Sequence, residues 1–406
     1  MTNKIEIGFD LSGLPDAEFA KLDDPFYGIL DAPQTILGGA IYQDVTPYLI
    51  AYTFSRGKSR QLDKFQAGNL EIELDNNSRV FDPLFTDSPY YTQIIPKRAI
   101  RVTSNDVIQY QGLIDDWNLS YLPNGNSIAS VVASDNFAQF ANQQLEGLTA
   151  TAQYTGERIA AILQNAGMQF PSDQIVAENG LQYLQADVIA SGTNALQYLQ
   201  TISESEPGAL FVSKSGQVVF KDRNAESTGT PSFFTDDGTG LPYQSIGVTY
   251  GSELLYNEVE VSVLNGGTET AVSLSSQEQY GIAKLTRSNL PLDSDTSAEN
   301  LATYLVSQYS EPEYRFEKLN IELASLSAND QTEILGLELG DFIRIKFTPN
   351  SVPPAIDKYV KIIGIAQNVG ATTHKVSFAL ASTEYNFWRL SDLVFGRLGT
   401  GNALAY

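Results

Sequence analysis

The sequence predicts a β-dominated α+β protein built around two copies of one small antiparallel β-domain. Three observations carry that expectation. The first is a strand pattern that occurs twice. Leu70-Glu71-Ile72-Glu73-Leu74 is matched by Leu319-Asn320-Ile321-Glu322-Leu323. Each is followed by a stretch containing Ile-Arg, Ala99-Ile100-Arg101-Val102 in the first half and Phe342-Ile343-Arg344-Ile345 in the second. Each then reaches a Gly-centred strand, Gln111-Gly112-Leu113-Ile114 and Ile363-Gly364-Ile365-Ala366. Each ends in a Ser-containing apolar strand, Ser127-Ile128-Ala129-Ser130-Val131-Val132 and Lys375-Val376-Ser377-Phe378-Ala379-Leu380. The second observation is composition: 21 Tyr and 20 Phe against two Trp and two Met, a bias that favours pleated surfaces. The third is turn punctuation at short spacing, which points to a barrel or a sandwich.

Taken in order, the first forty residues read as an arm. Ile5, Ile7 and Phe9 alternate with polar neighbours and suggest one strand, but Pro15, Asp23-Asp24-Pro25, Gly28, Pro33 and Gly38-Gly39 follow as turn residues. From 41 to 140 the pattern is β. Leu70, Ile72 and Leu74 fall on one face and Glu71 and Glu73 on the other, the mark of a half-buried strand. Ser104-Asn105-Asp106 and Pro123-Asn124-Gly125-Asn126 are turns, and Trp117, Leu119 and Tyr121 alternate between them. Asp135 is placed to cap a short helix with Phe137, Phe140 and Ala141 on one side.

Residues 141–228 read as a small α+β domain. Thr155 caps a helix carrying Ile159, Ile162 and Leu163, and Thr193 caps another carrying Leu196, Leu199 and Ile202, stopped by Pro207-Gly208. A hairpin through Lys214-Ser215-Gly216 completes it. Asn224 to Gly240 is the best linker candidate. Strand patterning resumes at Val248-Tyr250 and at Val259, Val261 and Val263. The capping box Thr296-Ser297-Ala298-Glu299 then opens a helix bearing Leu301, Leu305 and Tyr309. The second β-domain is therefore expected to be discontinuous, 229–264 and 313–390, with a one-helix domain inserted at 265–312 and a tail at 391–406.

Lys and Arg total 25 against 48 Asp and Glu, a net charge of −23. That balance disfavours binding to phosphate backbones and to anionic membranes. It serves solubility, and it also suits a surface that DNA passes without adhering. The absence of cysteine excludes disulfides, thiol nucleophiles and thiolate zinc sites. The N-terminus lacks the apolar run of a signal peptide and no stretch is long enough to span a membrane, so the expectation is a soluble protein made in a cytoplasm.

Chemistry is sparse. His374 is the single histidine, too few for a two-His zinc hydrolase, and reads as a polar surface residue. No G-x-S-x-G elbow, calcium loop or phosphate-binding Gly-rich loop occurs. Ser203-Glu204-Ser205-Glu206 is the one conceivable acid–base pair, although acids at a helix end are ordinarily structural. Asp23-Asp24 and Asp115-Asp116 read as a turn and a strand edge, with a cation site as the sharper alternative. Arg56-Gly57-Lys58-Ser59-Arg60 is the one dense basic cluster, and it fits a loop that meets an acidic partner surface. The expectation is no catalytic residue, no metal, no cofactor and no enzyme.

The run from Arg56-Gly57 through Leu62-Asp63-Lys64-Phe65 and Ala67-Gly68 into the strand ending Leu74-Asp75-Asn76 resembles the tail-hub (baseplate-hub, minor tail) proteins of tailed bacteriophages. Asp44-Val45-Thr46 before it is similar to that family's lead-in. So are Phe81-Asp82-Pro83, Ser88-Pro89-Tyr90, Ile95-Pro96 and Gly112-Leu113-Ile114-Asp115-Asp116-Trp117 after it. Ser205-Glu206-Pro207-Gly208, Leu339-Gly340-Asp341 and Trp388-Arg389-Leu390 extend the likeness over most of the chain. The resemblance implies that the two β-domains are tail-tube-like antiparallel β-barrels. It implies a homotrimer whose six barrels meet a sixfold tail tube or distal tail protein. Tail fibre or tip proteins would lie below and a tape-measure protein in the lumen, with genomic DNA passing during ejection. The place implied is the distal end of the tail in the virion, after assembly in the host cytoplasm. Two other readings stand beside it. One is a distal tail protein of a hexameric ring, carrying one barrel. The other is a tip protein that binds carbohydrate or hydrolyses cell wall, suggested by Tyr90-Tyr91.

Overall fold

The computed structural model describes residues 1–9, 41–165, 167–225 and 230–382. The first module comprises β1 (Asn3–Phe9), β2 (Ile41–Asp44), β3 (Leu49–Gly57), β4 (Gln66–Asp75), β5 (Ala99–Ser104), β6 (Val107–Tyr121) and β7 (Ser127–Ser134). Alternation drives these strands: along β4, Leu70, Ile72 and Leu74 are buried while Glu71 and Glu73 face water. The expectation of an N-terminal arm fails for its first nine residues. β1 lies between β2 and β5, and Ile5, Ile7 and Phe9 are fully buried. Three apolar side chains on a strand with two partners make it core. Asp23-Asp24 falls outside the described residues.

α1 (Asn136–Asn142) is capped as expected, with the Asp135 carboxylate accepting from Phe137 N. The small α+β unit follows with β8 (Gln144–Leu145), β9 (Leu148–Ala150), β10 (Gln153–Tyr154) and α2 (Thr155–Leu163). It continues through β11 (Ile175–Ala177), β12 (Tyr183–Leu184), β13 (Asp187–Ile189) and β14 (Thr193–Asn194) to α3 (Ala195–Glu204), β15 (Ala209–Val212) and β16 (Val218–Lys221). Both helices begin one residue away from the expected cap. Tyr154 N donates to Glu157 at 2.9 Å ahead of α2, and Asn194 accepts from Gln197 N at 3.0 Å ahead of α3.

The second module opens with β17 (Ser232–Thr235) and β18 (Ser245–Tyr250). β17 sits inside the expected linker, where Phe233 and Phe234 give a strand that flanking Gly and Ser residues obscured. An insertion follows: β19 (Glu258–Val263), β20 (Thr268–Val272), α4 (Leu274–Tyr280), β21 (Lys284–Leu290) and α5 (Asp295–Tyr309). Among the described residues β19 pairs only with β20 and β21, and Val259, Val261 and Val263 share a separate core with Leu301 and Leu305 of α5. These valines belong to the insertion and not to the second module, where sequence patterning put them. Ser294, not Thr296, caps α5, accepting from Ser297 N. The module then resumes with β22 (Tyr314–Glu322), α6 (Ala328–Gly336), β23 (Phe342–Phe347), β24 (Ile356–Val369) and β25 (His374–Ser382). The expected tail at 391–406 lies outside the described residues.

The two modules have one connectivity. Neighbouring strands run β3-β4-β7-β6-β5 in the first and β18-β22-β25-β24-β23 in the second. Each also carries a β-bulge at the same place. Asp115 is the extra residue of β6 opposite Ala133 and Val132, and Ile363 is the extra residue of β24 opposite Leu380 and Ala379. Counting from the bulge, Arg101 and Arg344 are equivalent, as the Ile-Arg repeat predicts. Leu319, however, takes the place of Ile72, not of Leu70, since both lie opposite the residue that pairs two positions beyond the bulge. Gly364 matches Asp116 and not Gly112. A two-residue slip keeps every side chain on its face, so alternation alone cannot fix that register.

Among the described residues the modules do not close into two separate barrels. They form one open thirteen-stranded sheet, joined where β24 pairs with β3. β24 is long enough for its first half to pair with β23 and its second half with β3. That contact covers an edge each module would otherwise leave open.

Candidate functional site at the joint between the modules

The joint is antiparallel and runs from Gly364 opposite Gly57 to Val369 opposite Tyr52. Alternation along β3 turns Tyr52, Phe54 and Arg56 inward, all of them buried. Ile365, Gln367 and Val369 answer from β24, also buried. The two strands come close at Gly57. It has φ +95°, and a Cβ there would lie 2.4 Å from the Ile363 carbonyl oxygen and 2.8 Å from Gly364 Cα. Only glycine fits both that conformation and that approach.

A buried polar chain crosses the joint. His374 Nε2 lies 2.8 Å from Gln367 Oε1, Gln367 Nε2 donates to Gln109 Oε1 at 2.8 Å, and Gln109 Nε2 donates to Leu335 O at 3.1 Å. Gln109 belongs to the first module and the other three to the second. Among the described residues His374 Nδ1 is buried without a partner, so the neutral tautomer that donates from Nε2 completes the chain. Burial pushes the imidazole down to about 4, against a smaller opposing pull from Glu322. His374 is thus a core residue, 2% exposed, and not the surface residue that sequence suggested. The β24–β25 pairing and the first module cover it together.

The basic cluster also turns inward. Arg56 Nη1 bonds Glu338 Oε1 at 2.9 Å and the Val212 carbonyl at 3.3 Å. Glu338 Oε2 accepts from Lys214 N at 2.8 Å. One ion pair therefore ties both modules to the small domain. Lys58 donates to Gln61 O at 2.6 Å and lies over the Phe65 ring. Arg60 pairs at the surface with Glu253. The acidic partner expected for Arg56 is within the chain. Beside the joint, Lys58, Lys64, Arg223, Arg287 and Lys361 line a cleft of 590 Å³ together with Glu204. Burial lowers both Lys58 and Lys361 to about 8.

The conceivable acid–base pair is taken apart. Glu204 pairs with Lys64 at 3.0 Å and Arg287 at 3.9 Å. Glu206 is fully buried and its Oε2 accepts from Thr155 Oγ1, Leu181 N and Gln182 N, holding the small domain together. Asp115 accepts from Lys97 and Ser134 at the bulge. Tyr90 stacks on Phe9, while Tyr91 is exposed. Among the described residues no group of three or more acids and histidines could hold a metal ion. What the arrangement can do is mechanical: it ties two like modules together edge to edge. Sequence reading missed Gln109, Gln367 and Glu338. The available signal was Arg56, which is in phase with Tyr52 and Phe54 on an apolar face, where an arginine requires a buried acid.

No protein-family model matches the chain, and no curated protein matches it in sequence. Solved structures do. The 43 kDa tail protein of prophage MuSo2 from Shewanella oneidensis is 14% identical with a TM-score of 0.55, over 85% of this chain and 96% of that one. The tail protein from Neisseria meningitidis MC58 is 10% identical with a TM-score of 0.59, over 84% of this chain and 93% of that one. The likeness read from the ordered motifs is thereby matched at the level of fold: this chain has the fold of these tail proteins.

Proposed function

We propose that the chain is a structural, non-enzymatic protein of a phage tail, a trimeric hub that adapts a sixfold tube to a threefold tip. The observation that carries this reading is the repetition within one chain of strand order and bulge, β3-β4-β7-β6-β5 against β18-β22-β25-β24-β23. Three chains then offer six similar tube-like modules, and a ring of six can meet a sixfold neighbour while the chains keep threefold symmetry. Tail tube or distal tail protein would lie on one side and fibre or tip proteins on the other, with tape-measure protein and then DNA in the lumen. A net charge of −23 suits a wall that DNA slides past. The ion pairs and hydrogen bonds that occupy Glu204 and Glu206 support a role without hydrolysis. The second module counts against a single-barrel distal ring protein. Native mass spectrometry of the purified chain, with electron microscopy of the particle, tests the reading. Three copies forming a six-lobed ring are expected, and a ring of six chains would overturn it.

A further inference from the structure

The cleft beside the joint is positive in a chain whose net charge is −23. Its five cations come from every part of the fold. Lys58 and Lys64 belong to the β3–β4 loop, Arg223 follows β16, Arg287 lies on β21 and Lys361 on β24. Only two carboxylates line the cleft with them, Asp63 and Glu204. Glu204 is committed to Lys64 at 3.0 Å and Arg287 at 3.9 Å. Asp63 acts on Lys58 from beyond ion-pair distance. The other acids that pull on Lys361 are engaged elsewhere: Asp341 with Lys221 and Glu338 N, and Glu178 with Asp222 N.

Three of the five cations thus have no carboxylate paired to them among the described residues. Each lies over an aromatic ring instead. Lys58 is 4.8 Å from the Phe65 centroid, Arg223 5.3 Å from Tyr304, and Lys361 5.2 Å from Phe342. A ring face attracts a cation without neutralising it. The three also repel one another and their neighbours: Lys361 and Arg287 act against the charge on Lys58, and Lys221 against that on Lys361. Behind the wall, Arg315 on β22 keeps Nε and Nη2 buried without a hydrogen bond, its Nε 3.7 Å from Glu313. Its charge reaches Tyr309, which lines the cleft. Desolvated cations are costly unless a counter-charge completes them, and the described residues do not supply enough of it.

We propose that this cleft binds a multivalent oxyanion of the phosphate class, held by Lys58, Arg223 and Lys361. A volume of 590 Å³ is that of a small-molecule site. Guanidinium presents a planar fork that matches phosphate oxygens, and each ammonium adds a point charge. One compact polyanion neutralises three converging cations at once, which a single carboxylate cannot do. Bound there, it would tie the β3–β4 loop of the first module to the segment after β16 and to β24 of the second module. The site lies within one chain, so it stands apart from the hub reading.

Isothermal titration calorimetry of the full chain with pyrophosphate, at an ionic strength held constant with sodium chloride, tests the site. Saturable binding of one pyrophosphate per chain is expected. Lys361→Met and Arg223→Met keep an apolar stem and drop the charge, and each is expected to weaken binding about tenfold or more. Arg60→Met removes a cation of the same loop that lies outside the cleft, paired at the surface with Glu253, and is expected to leave the affinity within about twofold. Without the anion, Lys361→Met should unfold in urea at the midpoint of the unaltered chain or above it, because a cation with repelling neighbours is lost. A lower midpoint would reveal an internal partner for Lys361 and overturn the site. Absence of binding at millimolar pyrophosphate, or equal weakening by Arg60→Met, overturns it too. Tighter binding of hexa-aspartate than of pyrophosphate would assign the cleft to an acidic protein segment and also refute the phosphate class.

Discussion

Acidification should loosen the joint through His374. The imidazole is buried, its Nδ1 has no partner, and its Nε2–H is committed to Gln367. Protonation would place a charge in the buried joint and give Nδ1 an N–H with no acceptor among the described residues. The group ordinarily titrates at 6.5 and is held at about 4 in the fold. The unfolded chain therefore binds a proton that the folded chain refuses between those values. Stability linked to His374 is fully present above pH 6.5 and is lost as pH falls towards 4. Linkage puts the loss at about 2 kcal/mol between pH 7 and 5, and about 3 kcal/mol by pH 4. The assay is urea denaturation at pH 7, 6, 5 and 4, followed by tryptophan fluorescence, on the native sequence and on His374→Gln. The glutamine keeps a donor towards Gln367 but cannot titrate. Carboxylates elsewhere act equally on both proteins, so the difference between the two curves isolates the imidazole. The reasoning fails if the two proteins lose stability in parallel.

Other expectations follow from the same contacts. Arg56→Ala takes the cation from Glu338, whose side chain is 18% exposed, and should cost about 1 to 3 kcal/mol, read as a lowered denaturation midpoint. An unchanged midpoint would mean that the ion pair does not hold the three units together. Gly57→Val sets a side chain against the Ile363 carbonyl at φ +95° and should open the joint. Hydrogen exchange would then rise first along residues 52–57 and 364–369. Glu206→Ala strips the acceptor from Thr155, Leu181 and Gln182, at about 1 to 3 kcal/mol for each buried donor left unpaired. Proteolysis should then cut the small domain before either module. Phe54→Ala empties a site 2% exposed and should cost about 3 to 5 kcal/mol by the same denaturation measurement.

Much of the local architecture was written in the sequence. Alternation marked β4, β5 and β7, and the Asp135 cap placed α1. The Ile-Arg repeat put Arg101 and Arg344 at equivalent positions. Two copies of one unit could be recognised because a buried face repeats every second residue whatever surrounds it. The same period hid the register. Leu319 stands for Ile72 and not Leu70, since a slip of two leaves the pattern unchanged and only the bulges at Asp115 and Ile363 fix the count. Fate after burial was hidden too. His374, Arg56 and Glu206 look like surface groups in a polar stretch. Each was taken inside by a partner between 7 and 282 residues away, Gln367, Glu338 and Thr155. The sequence by itself determined that strands such as β4, β5 and β7 exist and that their pattern comes twice. Tertiary structure alone decided that they share one sheet, because strand pairing is satisfied by whichever edge lies within reach, and reach is a property of the folded chain.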